Sequence, residues 1–321
     1  MSVSVLDRRV SRRNGTGPPA SPLVRIRALW GMARPSQLLL IAAVYALGVV
    51  VAVGTGESLS LPAVLAGLAA LLPTAASVHY ANEYADRETD RLTSTAGTRT
   101  PFSGGSGALA RTGLSPRLAR DATVGTGLLG ALVTVGLLAA GRLSPWAAGL
   151  LLAIALLGWG YSLPPVELSH RGLGELDNAL LGGLLLPHYG AATLGPPSLA
   201  VCLAVAPFAL LVFANLLATQ WPDRWADAFA GKYTLPTRWP PRRLRRLHLL
   251  SVTGAFALLP VLWGWVLPPL VALASLLGLP FALWSVATFT RDDRPFPTVA
   301  AMVVVAVAQL GAWTYAVGLV G

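Results

Sequence analysis

Long apolar runs separated by short polar joints make up most of the chain. Runs near the ~20 residues that a helix needs to cross a bilayer fall at residues 36–54, 60–81, 118–140, 144–161, 176–194, 198–220, 246–265, 268–288 and 297–320. This pattern predicts an all-α, polytopic membrane protein of about nine transmembrane helices. The seventh and eighth runs are divided only by Trp263-Gly264-Trp265-Val266-Leu267-Pro268-Pro269, so a count of eight fits the same pattern. Residues 1–22, rich in Arg, Ser, Gly and Pro, bury too little apolar surface to fold and are expected to form a disordered basic arm. Residues 23–321 are read as one transmembrane domain. The first apolar run starts late, is long enough to span and has no small-residue cleavage site after it, which speaks against a signal peptide.

Composition excludes a soluble globule: 54% of the 321 residues are hydrophobic and 12% charged, with a mean hydropathy of +0.62. The net charge of +10 is not a nucleic-acid footprint, because the basic residues sit in loops flanking the spans. There they fix topology and attract anionic lipids or substrates. With the N-terminus inside, Arg142 is the one basic residue of 24 left outside and Glu57 the one acid of 14. The positive-inside rule thus predicts a multi-pass protein of the cell membrane whose N-terminus and chemistry face the cytoplasm. Cys202 is the only cysteine, so no intramolecular disulfide forms, and its place within the sixth run suits packing.

Two acid clusters break the apolar pattern. Asn82, Asp86 and Asp90 follow the second run at intervals of four, and Asp223 and Asp227 follow the sixth at the same interval. On a helix each set forms a row of oxygens on one face. Like charges at that spacing repel and Asp is a poor helix former, so a cation is expected to occupy them. Mg²⁺, which favours hard oxygen ligands and binds through one or two carboxylates plus phosphate oxygens, is the natural occupant. Asn82, Asp86, Asp90, Asp223 and Asp227 are the candidate metal ligands. Two such rows facing each other would suit Mg²⁺ ions around a diphosphate, and a diphosphate that leaves also needs its charge neutralised. Lys232, the only lysine in the chain, is the first candidate, and Arg87, Arg91 and Arg99 surround the first row, with Arg99 leading into a Gly/Ser-rich loop.

At Asn82, Asp86, Asp90, Asp223, Asp227, Gly231 and Lys232 the chain resembles the UbiA superfamily of intramembrane aromatic prenyltransferases, whose two motifs run N-D-x-x-D-x-x-x-D and D-x-x-x-D-x-x-x-G-K. Glu83 stands where the family has its first Asp. Ala33-Arg34-Pro35, Tyr161-Ser162-Leu163-Pro164-Pro165 and Gly172-Leu173-Gly174-Glu175 are further similarities, the last two closest to the branch that prenylates 1,4-dihydroxy-2-naphthoate for menaquinone.

The resemblance implies a helical bundle with a polar cap over an apolar cavity that takes an isoprenoid tail. Mg²⁺ would bridge the aspartate motifs and a polyprenyl diphosphate, and Lys232 with nearby arginines would neutralise the departing charge. Tyr161 would steady the diphosphate or the allylic cation, and an aromatic acceptor would then be prenylated. Asp86, Asp90, Asp223, Asp227, Lys232 and Tyr161 are the implied catalytic residues. Asn82, Arg87, Arg99 and Arg171 are the implied substrate-binding residues, Arg171 standing near the place of a family lysine. His79 and Glu175 are candidates for removing the ring proton, while His188 suits a structural role.

Two other classes compete. A terpene cyclase or lipid-forming transferase of the same superfamily would share the ionisation and differ in how the cation is trapped. A transporter would need polar or broken segments near the bilayer midplane, whereas these acids cluster at the boundary.

Overall fold

The computed structural model describes residues 21–96, 99–103 and 105–318; the expected N-terminal arm lies almost wholly outside them. The described residues form helices and no strand. In chain order these are α1 (Pro22–Ala33), α2 (Pro35–Gly54), α3 (Leu61–Ala85), α4 (Arg87–Ala96), α5 (Ala108–Thr112), α6 (Arg117–Ala139), α7 (Pro145–Ser162), α8 (Gly174–Asn178), α9 (Leu186–Ala192), α10 (Leu199–Gln220), α11 (Arg224–Phe229), α12 (Leu235–Arg238), α13 (Pro241–Leu262), α14 (Pro269–Ser275), α15 (Leu279–Thr288) and α16 (Phe296–Ala316). Proline in the first turn starts many of them, where a missing N–H costs nothing. Ser144 and Ser198 cap α7 and α10 through their hydroxyls.

Eight helical segments are long and apolar enough to cross a membrane: α2, α3, α6, α7, α10, α13, the α14–α15 pair and α16. The turn after Leu262 does separate two spans. The irregular element is instead the fifth apolar run, where α8 passes through a π-helical segment, Ala179–Leu185, into α9. Pro187 has no N–H to give the Gly183 carbonyl, and Gly182 and Gly183 lie one turn before it, so the helix relaxes into a wider turn.

Small residues let this run pack deeply. A Cβ at Gly48 of α2 would overlap the Pro187 carbonyl, and one at Gly190 of α9 would overlap the Tyr45 carbonyl. The two backbones therefore touch at reciprocal glycines, the close approach that membrane helices use in place of a hydrophobic driving force. Tyr45 and Tyr189 pack 5.5 Å apart at this crossing and donate to the carbonyls of Val64 and Gly67 on α3. By contrast α6 leaves Leu128, Leu129, Leu132 and Val135 exposed along one side, the signature of a lipid-facing helix.

Because successive spans alternate in direction, the end of α3, the end of α7, the start of α8 and the end of α10 meet at one end of the bundle. The short helices α4, α5, α11 and α12 cover that end as a polar cap.

Candidate active site

The first acid row survives a break in its helix. α3 ends at Ala85 and α4 begins at Arg87, yet Asp86 N–H donates to the Asn82 carbonyl (2.8 Å) and Asp90 N–H to the Asp86 carbonyl (2.9 Å). The i to i+4 relationship that aligns the three side chains therefore holds across the joint. Asp86 and Asp90 are both buried. Gly105, in the left-handed region at φ 61°, lies so close over Asp90 that a Cβ there would collide with the carboxylate.

The second motif owes its spacing to a helix stop. Gly231 takes φ 76°, Gly231 N–H donates to the Ala228 carbonyl and Lys232 N–H to the Asp227 carbonyl. This is the Schellman ending, in which a left-handed glycine turns the next residue back over the helix it closes. Lys232 is thereby folded onto Asp227. Its Nζ donates to Asp86 Oδ2 at 3.1 Å, lies 3.9 Å from Asp227 Oδ1 and stands 5.9 Å from the centre of the Tyr161 ring. α11 packs on α4, so the two rows face each other with the lysine between them.

A second cation holds the base of the first row. Arg34, joining α1 to α2, adopts φ 53°, ψ 68°, a conformation costly for a residue with a side chain. Its Nη2 donates to Glu83 Oε1 (2.6 Å) and Asn82 Oδ1 (3.1 Å), and its Nε to Glu83 Oε1 (3.1 Å). Glu83 also accepts from the Ser106 N–H and hydroxyl, each at 2.7 Å. Both its oxygens are thus engaged in fastening Ser106 and the α1–α2 joint. Asn82, with its oxygen on Arg34, donates Nδ2 to Asp86 Oδ2 (3.1 Å) and to Ser162 Oγ of α7 (2.9 Å). His79 Nδ1 meets the Ala33 carbonyl at 2.7 Å and pins the same joint.

The remaining residues fall in two groups. Tyr161 lies inside the cluster, accepting from Gln220 Nε2 at 3.2 Å, and Glu175 Oε1 accepts from the Leu235 N–H at 2.7 Å, holding the chain that follows Lys232. Asp223 precedes α11, its carbonyl accepting from Asp227. Arg99 grips the carbonyls of Gly105 and Ser106. Arg87 is exposed and turned onto the Tyr84 ring and carbonyl, and Arg171 bonds the Pro165 carbonyl 2.7 Å away; neither is brought to the carboxylates. His188 bonds backbone carbonyls only. Arg34, Ser106, Ser162 and Gln220 are the site residues whose partners spacing could not find, since those partners lie tens of residues away; Arg34 and Ser162 were visible only inside the stretches Ala33-Arg34-Pro35 and Tyr161-Ser162-Leu163-Pro164-Pro165.

Crowding of acids shifts the titration of this cluster. Glu83, Asp86, Asp90, Asp223 and Asp227 are opposed by Arg34 and Lys232. Burial, then the neighbouring Asp86 and Glu83 carboxylates, push Asp90 up to about 8. Burial raises Asp227 to about 7 against the pull of Lys232. Burial also opposes the Lys232 charge, but Asp86 and Asp227 outweigh it and hold that pKa well above the ordinary value. Among the described residues no three His, Cys, Asp or Glu side chains converge closely enough to hold one ion; the lysine occupies the space between the rows.

Fold and site together define a polytopic membrane protein whose bundle ends in a cap of facing carboxylate rows and a buried lysine. The model of the UbiA prenyltransferase family matches residues 39–304, and the chain belongs to that family of intramembrane prenyl-transferring enzymes. The solved structure of a UbiA homologue from Archaeoglobus fulgidus bound to GPP and Mg²⁺ is similar, with a TM-score of 0.65, 18% identity, and coverage of 91% of this chain and 100% of that one. An apo UbiA homologue from Aeropyrum pernix K1 gives 0.68 at 17% identity, covering 88% and 98%. A digeranylgeranylglyceryl phosphate synthase gives 0.64 at 13%, covering 92% and 99%. No curated protein matches the chain significantly by sequence.

Proposed function

We propose that the protein is a Mg²⁺-dependent prenyltransferase that moves a polyprenyl group from its diphosphate to an aromatic acceptor, with 1,4-dihydroxy-2-naphthoate as the leading acceptor and the cap facing the cytoplasm. The observation that carries this reading is Lys232 held between Asp86 and Asp227 at the junction of the two aspartate motifs. The Archaeoglobus homologue's complexes with GPP or DMAPP and Mg²⁺ support the choice of donor and metal.

The residues fit the metal. Mg²⁺ needs only one or two carboxylates when phosphate oxygens complete its shell, and the two facing rows, with Asp86, Asp90 and Asp227 buried, offer that. Asp86 and Asp90 on one side, Asp223 and Asp227 on the other, would hold it, with Asn82 orienting Asp86. Bound there, Mg²⁺ supplies Lewis-acid neutralisation of the leaving diphosphate. Lys232 Nζ, in reach of Asp86 and Asp227 on both rows, is placed to donate to the leaving oxygens as the allylic C–O bond breaks. Tyr161 presents its ring beside that point and is positioned to steady the allylic cation. The acceptor ring then forms the new C–C bond with the allylic carbon, and its displaced proton passes to the released diphosphate.

The test is turnover of labelled geranylgeranyl diphosphate in liposomes with 1,4-dihydroxy-2-naphthoate, 4-hydroxybenzoate or no acceptor, comparing wild type with Asp86→Ala. Prenylated naphthoate that disappears in the variant is expected. Diphosphate release without a prenylated ring would move the protein to a cyclase or lipid-forming branch, and no consumption at all would overturn the reading.

A further inference from the structure

Among the buried side-chain oxygens without a hydrogen-bond partner are Glu175 Oε2, Gln220 Oε1 and Thr234 Oγ1. Their residues are 1%, 7% and 0% exposed, so bulk water does not satisfy them, and buried polar atoms left unpaired in a native fold call for an explanation. Their residues belong to one locality. Gln220 bonds the Tyr161 hydroxyl, and the Tyr161 ring packs against Gly174, the neighbour of Glu175. Glu175 in turn bonds Leu235, the neighbour of Thr234.

The chemistry of these atoms selects among ligands. A carboxylate oxygen and an amide oxygen only accept, so they repel phosphate oxygens and disfavour the diphosphate. The prenyl tail offers no donor at all. Of the two substrates in the reading above, on which this inference rests, only a hydroxylated ring brings O–H donors. We propose that Glu175, Gln220 and Thr234 form the acceptor-recognition pocket, in which ring hydroxyls donate to the three oxygens and set the ring beside Tyr161. The pocket adjoins the carboxylate rows through Tyr161 and confers preference for hydroxylated aromatic acceptors over their O-alkylated counterparts. A site built to bond a substrate hydroxyl rejects the analogue lacking it far more strongly than an apolar pocket rejects a lost methylene.

Equilibrium binding on the full-length protein in detergent tests this. Dissociation constants are measured for 1,4-dihydroxy-2-naphthoate, for its dimethyl ether and for geranyl diphosphate with Mg²⁺, in wild type, Glu175→Gln and Thr234→Val. Glu175→Gln keeps an oxygen for Leu235 while turning the free acceptor into a donor, and Thr234→Val keeps shape without the hydroxyl. Naphthoate binding is expected to weaken at least tenfold in each variant, the dimethyl ether to bind wild type equally poorly, and geranyl diphosphate binding to stay within about twofold. If Glu175→Gln fails to fold, Thr234→Val carries the comparison. Unchanged naphthoate affinity in the folded variants, equal loss of diphosphate affinity, or no naphthoate binding to wild type would overturn the pocket. Naphthoate that binds with this pattern but is never prenylated would support the pocket while refuting the proposed reaction.

Discussion

Lys232 Nζ donates to Asp86 Oδ2 at 3.1 Å across 146 residues of chain. One bond thus joins the two aspartate motifs, and the residues around it have consequences that experiments can reach.

Replacing Lys232 with Met should lower kcat by ~10²–10³-fold, the usual effect of removing one preorganised charge-stabilising group. It also leaves the buried Asp86 with only the Asn82 amide on its Oδ2 and no cation, which costs about 3–5 kcal/mol of stability. Thermal melting in detergent should show that loss shrinking as Mg²⁺ is added, since a ligand that binds only the fold stabilises it by mass action. A variant with full turnover would remove Lys232 from the chemistry.

Mg²⁺ affinity should rise with pH. Asp90 titrates near 8 and Asp227 near 7 in the fold, both above the ordinary carboxylate value, so the folded metal-free protein carries protons that the unfolded chain has released. Its stability therefore falls as pH climbs from about 4 to 8, and metal must displace those protons below that limit. The Mg²⁺ concentration for half-maximal turnover should fall about tenfold per pH unit for each proton displaced, levelling above pH ~8. A flat profile between pH 6 and 8.5 would contradict it.

Glu83 should behave as a fastener. Its carboxylate is 2% exposed and that of its partner Arg34 20%, so Glu83→Ala strands a largely buried guanidinium and should cost about 3 kcal/mol. A double-mutant cycle with Arg34→Ala, read by thermal or denaturant unfolding, should recover a coupling above ~1 kcal/mol. Additive losses would show that the pair is not a unit.

Gly231→Ala forces a Cβ into the left-handed region at φ 76°, at roughly 1–2 kcal/mol. Stability should drop by that modest amount while turnover drops further, because the turn that carries Lys232 onto Asp227 is disturbed. Equal, small effects on melting and turnover would mean that the lysine finds its place without the turn.

The sequence by itself determined the spans and the acid rows. Bilayer thickness translates directly into run length, so the helices at 35–54, 61–85 and 199–220 were legible within a few residues, and i to i+4 spacing placed Asn82, Asp86 and Asp90 on one face because that relation is local. The irregular fifth span, read from hydropathy as a plain helix, was not legible: hydropathy counts apolar residues and does not see the missing N–H of Pro187.

Tertiary structure alone decided what the charged residues do. Arg87 and Arg171 stand close in sequence to the motifs yet bond elsewhere, while Arg34, read as part of a family-like tripeptide, and Ser106, in the Gly/Ser-rich loop, take up the Glu83 carboxylate. Partner choice among long side chains depends on which helix ends meet in space, and those meetings join residues 23 to 146 positions apart. Local periodicity holds no record of them.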